Sequence, residues 1–183
     1  KPDLRDNKED TNELAFCWVV DFPLFEMSQS EKRLVSSHHP FTSPKDEDVA
    51  LLDSVPEKVK ARAYDLALNG FEIAGGSIRI HDRDLQNKIF QILGVSDEQI
   101  QLRFGHLLGA FEYGAPPHGG IAAGLDRWVT ILENEPNIRE VIAFPKTGEG
   151  RDLMMDSPSD IPEAHLKELG IHPAARERRG SIE

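Results

Sequence analysis

Two short stretches hold the residue types from which chemistry can be built: GFEIAGGSIRIHD, from Gly70 to Asp82, and GGIAAGLDR, from Gly119 to Arg127. In the first, Ser77, Arg79 and His81 alternate with Ile78 and Ile80. That is the period of a strand, and it puts the polar residues on one face. Glu72 precedes Arg79 by an odd number of residues, which sends the two to opposite faces of an unbroken strand. A bulge at the intervening Gly75–Gly76 would restore parity and bring both onto one surface. A carboxylate and a guanidinium in one cleft suit, respectively, a metal–phosphate group and a carboxylate substrate. The plainer alternative is a cross-strand ion pair on a solvated sheet face.

In the second stretch, Leu125, Trp128, Val129 and Leu132 recur at helical spacing, which predicts one buried helix face. Arg127 lies off that stripe, in the first turn, where unpaired N–H groups already leave partial positive charge. A cation in that position calls for an anion between it and the helix end, and phosphate fits best. Gly119, Gly120 and Gly124 leave the backbone open to a flat or bulky ligand. The alternative is close strand–helix packing with Asp126–Arg127 as a surface ion pair.

The elements that must position these residues follow from pattern. Residues 1–14 read as a charged tail or linker. LAFCWVVDFPLF predicts a buried strand over Ala15–Phe22, and LVSSHH a second strand halted by Pro40. FTSPKDEDVALLDSVPEKV, with its prolines and charges, predicts a surface excursion. PEKVKARAYDLALNG has apolar residues at helical spacing, and Asn69–Gly70 reads as its C-terminal stop. FEIAGGSIRIHD is a strand. DLQNKIFQILG and DEQIQLRFGHLLGAFEYG are amphipathic helices. GGIAAGL is a strand, DRWVTILEN a helix and EVIAFPKT a last short strand. Strands and helices mix without strict alternation, which favours an α+β fold with a mainly antiparallel sheet flanked by helices. Residues 15–157 form the expected domain, and 158–183 a polar extension with weak helical tendency.

Composition narrows the function classes. The 183 residues carry a net charge of −11, from 32 acids against 21 bases, which argues against general adhesion to nucleic acid or an anionic membrane. The single cysteine, Cys17, rules out an internal disulfide framework and suits a reducing compartment. There is no run of apolar residues long enough to span a membrane. The N-terminus lacks the apolar stretch of a signal peptide.

DFPLFE, HHPFTSPKDED, GGSIRIHD, YGAPPHGG and GLDR, in this order, resemble the C-terminal part of the catalytic domain of bacterial-type aspartyl-tRNA synthetases, organellar ones included. The resemblance runs from about Phe16 to about Leu169. It implies ATP-dependent activation of L-aspartate as an aspartyl-adenylate, followed by transfer to tRNA(Asp), with tRNA(Asn) left open as a second acceptor. It further implies a class II catalytic core, a homodimer and a cytoplasmic or organellar-matrix location. By resemblance, Arg127 meets the ATP triphosphate and adenine, with Gly124, Leu125 and Asp126 as the backbone wall beside the nucleotide. Glu72 faces the phosphates and shares Mg²⁺ with them. Arg79 takes the side-chain carboxylate of aspartate in a forked pair, and His38, with His39 beside it, touches the amino acid. His118 shapes its loop. The family's first and second motifs have no counterpart here. The chain is therefore expected to be a piece of a longer enzyme, inactive alone. A non-catalytic synthetase-like module and a related asparagine ligase are the alternatives.

Overall fold

A computed structural model describes residues 1–172. The chain divides into two compact units, Lys1–Pro136 and Asn137–Glu183. The first holds every candidate site residue. Its centre is a four-stranded antiparallel sheet in the order β1 (Phe16–Val19), β4 (Ala63–Leu68), β5 (Phe71–Ile78), β6 (Gly119–Ala123). A separate hairpin pairs β2 (Phe25–Met27) with β3 (Leu34–Ser36). Helices α1 (Arg83–Ile92) and α2 (Asp97–Phe111) follow β5, and α3 (Leu125–Leu132) follows β6. In the second unit the described residues form a 3₁₀ turn at Ile138–Glu140 and helix α4 (Glu163–Glu168).

The helices begin where side chains cap them. The Asp82 carboxylate accepts from the Leu85 N–H at 2.8 Å, and the Ser96 hydroxyl from Gln99 N–H at 3.3 Å, each satisfying an orphan donor of the first turn. The apolar face of α1 then buries Ile89, Phe90 and Leu93. Ile89 and Leu93 join a core with Leu24, Leu52, Val59 and Ile80. Phe90 joins Phe41, Ile100 and Leu108 in a second cluster.

Six expectations are corrected. The segment PEKVKARAYDLALNG is no helix: a 3₁₀ turn at Pro56–Lys58 leads into strand β4. Its alternate residues Ala63, Asp65 and Ala67 are all buried, and it is hydrogen-bonded on both sides, to β1 and to β5. Pairing on two edges outweighs the modest helix preference of Ala and Leu. Asn69 and Gly70, at φ 48° and 87°, are the two positive-φ residues of a tight hairpin turn between β4 and β5 rather than a helix stop. The supposed surface excursion carries core: Phe41, Leu52 and Val59 are buried. Strand β1 is not buried but an edge strand, with Trp18 57% exposed. The stripe on α3 is half covered, Trp128 and Val129 being half-buried while Leu125 is 73% exposed. EVIAFPKT forms bends after the 3₁₀ turn instead of a strand, Pro145 having no N–H to offer a ladder. Residues 1–14 carry no helix or strand, yet they are tied to the hairpin turn. Asn69 donates to the Glu13 carbonyl and accepts from the Ala15 N–H, both at 2.9 Å. The C-terminal extension beyond residue 172 lies outside the described residues.

Candidate active site

The parity argument holds, with the irregularity displaced. In the β4–β5 ladder Leu66 faces Ala74 and Ala67 faces Glu72, so Ile73 is the extra residue. The bulge lies at Ile73, not at Gly75–Gly76, because those two glycines stay paired with Asp65 and Tyr64. One extra residue shifts parity wherever it is inserted. Glu72 therefore shares a face with Gly75 and Ser77, and Arg79 continues it, held by a bridge to Thr42. The bulge does a second job. The Ile73 carbonyl accepts from the Gly124 N–H at 2.8 Å, which fixes the start of α3 beside Glu72.

The shared face forms one wall of a cleft of about 330 Å³ that brings together His38, His39, Asp65, Glu72, Gly75 and Arg79. Gly75 makes room for the carboxylates: a Cβ there would lie 2.7 Å from Asp65 Oδ1 and 3.5 Å from Glu72 Oε1. Gly76 serves packing, since its Cβ would strike the Gly120 carbonyl on β6. Asp65 is the residue that sequence reasoning missed. A helix over its segment hides its alternation with Ala63 and Ala67. The signal that reveals a strand there was present: Asn-Gly flanked by apolar residues marks a hairpin, which puts Asp65 opposite Ala74, and the bulge at Ile73 moves its partner to Gly75.

Charge is arranged in two groups. The carboxylates of Asp65 and Glu72 share one cation, the Lys1 ammonium, at 2.5 and 3.4 Å. Arg127 Nη1 donates to the Glu72 carbonyl at 2.6 Å and lies 3.8 Å from Glu72 Oε1. Its ion pair among the described residues is thus with Glu72, not with Asp126. Gly124, Leu125 and Asp126 are exposed at the start of α3. At the other end of the cleft, Arg79 Nη1 is buried with no hydrogen-bond partner among the described residues. A guanidinium nitrogen left dry and unpaired is costly, and a bound carboxylate is its natural complement.

The two histidines differ. His38 packs edge-on against Phe22 at 4.8 Å. His39 Nδ1 accepts from the Phe41 N–H at 3.2 Å, which leaves Nε2 as the protonated nitrogen of a neutral ring. Desolvation and the Arg79 charge both push its pKa below the usual histidine value. His39 and Arg79 also border a second, mainly apolar cleft of about 500 Å³ with Phe41, Phe104 and His118. His118 Nδ1 lies 2.9 Å from the Pro116 carbonyl. His81 is exposed.

The sequence pattern described as tRNA synthetases class II (D, K and N) matches residues 1–148. Among curated proteins, the "Aspartate--tRNA ligase" of Staphylococcus carnosus is 57% identical over 162 residues, covering 88% of this chain and 28% of that protein. The "Aspartate--tRNA(Asp/Asn) ligase" of Thermoanaerobacter sp. is 58% identical over 167 residues, covering 91% and 28%. The chain thus spans little more than a quarter of these relatives. Among solved structures, the aspartyl tRNA synthetase from Entamoeba histolytica superposes with a TM-score of 0.54 at 26% identity, covering 73% of this chain and 23% of that one. With its antiparallel sheet, its cleft and a match over most of its length, the chain belongs to the class II tRNA synthetases of the D, K and N group.

Proposed function

We propose that this chain forms the aspartate- and phosphate-facing wall of an aspartate–tRNA ligase. The observation that carries the reading is the buried Nη1 of Arg79, unpaired among the described residues, in a cleft that also gathers the carboxylates of Asp65 and Glu72, the latter paired with Arg127. In the first step an oxygen of the aspartate α-carboxylate attacks the α-phosphorus of ATP. The bond to the bridging oxygen breaks, pyrophosphate leaves, and aspartyl-adenylate remains. In the second, a ribose hydroxyl of the tRNA attacks the activated carbonyl and AMP departs. Neither step needs a nucleophilic side chain, only positioning and placed charge. Arg79 receives the substrate's side-chain carboxylate in a forked pair, and His38 touches the amino acid. Arg127 meets phosphate charge and adenine along the backbone of Gly124, Leu125 and Asp126.

Mg²⁺ belongs to this reading. Asp65 and Glu72 suit it, because they already converge on one cation, the Lys1 ammonium, and magnesium takes few carboxylates alongside phosphates and water. Bound there, it would neutralise phosphate charge. Homodimer assembly and a cytoplasmic or organellar-matrix location come with the family resemblance. The acceptor is tRNA(Asp). Relatives named for tRNA(Asp/Asn) match the chain as well as those named for aspartate–tRNA ligation alone, which makes tRNA(Asn) the second acceptor to test.

The test is pyrophosphate exchange in a full-length ligase carrying this chain. Exchange should depend on L-aspartate and be lost when asparagine replaces it. Exchange supported better by asparagine, or none with either, overturns the reading.

A further inference from the structure

The loop that presents His38 and His39 is held from behind by a residue that never reaches the cleft. Gln86, in α1, is 2% exposed, and its amide Nε2 donates to the Pro40 carbonyl at 2.9 Å. Its other polar atom, Oε1, is buried without a partner among the described residues. An amide in an apolar helix face whose oxygen has no partner is a poor choice for stability. Methionine has nearly the same shape and brings no polar atom of its own to leave unsatisfied, at the cost of the donor to the part-buried Pro40 carbonyl. Gln86 stands on the face of α1 that buries Ile89 and Phe90, where apolar residues are the rule. A local rule broken in a core, where the one bond gained goes to the histidine loop, points to a functional demand on that loop.

That demand is legible in what Pro40 connects. The chain runs His38, His39, Pro40, Phe41, Thr42. His39 is fixed by the Phe41 N–H on its Nδ1 and by the Thr42 N–H on its carbonyl at 3.0 Å. The Phe41 carbonyl accepts from the Ile80 N–H at 2.9 Å, one residue past Arg79, and Thr42 bridges to Arg79 itself. Beneath, the Phe41 ring packs edge-on against Phe90 at 5.7 Å. The loop is thus pinned on the Arg79 side by backbone bonds, and on the α1 side by one aromatic contact and one directional hydrogen bond, that of Gln86. Proline contributes no N–H of its own, so its carbonyl is the only backbone polar group by which that residue can be held.

We propose that Gln86 is a positioning residue for amino-acid recognition: its hydrogen bond to the Pro40 carbonyl sets where His38 and His39 stand relative to Arg79. The inference rests on the reading of the Arg79 cleft as the aspartate site. Removing the bond should leave Arg79 and the carboxylate end of the cleft in place while the histidine loop loses its register. The effect should therefore fall on aspartate and spare ATP.

The experiment uses Gln86→Met and Gln86→Glu in a full-length ligase carrying this chain. Pyrophosphate exchange is read separately against each substrate, and thermal unfolding is followed alongside. For Gln86→Met the expected result is a KM for aspartate raised about tenfold, a KM for ATP and a kcat within about twofold of the parent, and a melting temperature within about 5 °C of the parent's, one unpaired amide oxygen being exchanged for one part-buried carbonyl. A buried glutamic acid is held protonated by desolvation and donates to the carbonyl again, so Gln86→Glu should recover most of the aspartate affinity. An unchanged KM for aspartate in Gln86→Met overturns the proposal, and so does a lowered melting temperature with equal losses on both substrates. Equal defects in Gln86→Met and Gln86→Glu overturn it as well. Failure of the underlying reading shows differently, as a parent enzyme whose exchange does not depend on aspartate.

Discussion

Arg79, in the cleft, and Arg127, beside Glu72, are held in opposite ways. Arg79 follows a strand that runs into packed structure: Thr42 is bridged to it, Ile80 beyond it is buried, and Phe41 and Phe90 lie beneath the loop alongside. Arg127 stands on α3, which follows a strand with every residue exposed and itself leaves Leu125 largely exposed. One guanidinium stands against the core and, among the described residues, has a buried nitrogen without a partner. The other is half exposed and borrows the carbonyl and carboxylate of Glu72. A site for a small, fixed carboxylate gains from rigidity, because a forked pair tolerates little misplacement. A residue that meets a flexible triphosphate can be supplied from a looser arm.

The largest expected contrast is between the two supports. Phe90 is fully buried between Phe41 and Phe104, whereas Leu125 touches little. Phe90→Ala should cost about 3–5 kcal/mol, the range for emptying an aromatic site in a core, while Leu125→Ala should stay within about 0.5 kcal/mol. Chemical denaturation of the two variants checks this. Comparable losses would mean that α3 is packed as firmly as α1 and that the contrast is false.

How much of this arrangement is legible in the sequence depends on which physical cause is at work. The odd separation of Glu72 and Arg79 demands an irregularity, and one is present. Its position at Ile73 depends on which backbone groups β4 and Gly124 pair with, and no local pattern encodes that. The capped helices α1 and α2 and the glycine-rich β5 and β6 are readable because local signals and tertiary structure agree. β4 is not, because Ala, Leu and charged residues favour a helix locally while two neighbouring strands impose the opposite, and Asp65 is lost with it. Periodicity shows which face of α3 is apolar. It does not show whether anything among the described residues covers that face, and for Leu125 nothing does.

Arg79→Lys sharpens the comparison at the chemical level. An ammonium keeps the charge and loses the fork, so kcat/KM for aspartate should fall by roughly 2–4 kcal/mol in a full-length ligase carrying this chain, the scale for removing one partner of a buried charge pair. The loss on ATP should be much smaller, because the carboxylate end of the cleft is untouched. Steady-state kinetics with each substrate varied separately decides it, and an equal penalty on both would detach Arg79 from the amino acid.

The smallest structural effect is expected at Arg127, for a reason the geometry makes specific. Its partners are a strand carbonyl and a carboxylate that already holds a contact to Lys1. Its side chain is about half exposed, so solvent replaces what truncation removes. The positive end of α3 is relieved when the cation goes. Arg127→Ala should therefore change folding stability by under about 1 kcal/mol, as exposed ion pairs do. The same substitution should sharply reduce pyrophosphate exchange in a full-length ligase carrying this chain, because phosphate charge would lose a placed cation. Denaturation and exchange measured on the same variant separate the two roles. A large loss of stability with normal exchange would make Arg127 a strut between α3 and the Ile73 bulge. The arm would then be as rigid as the core opposite, and the division of labour between the two arginines would fail.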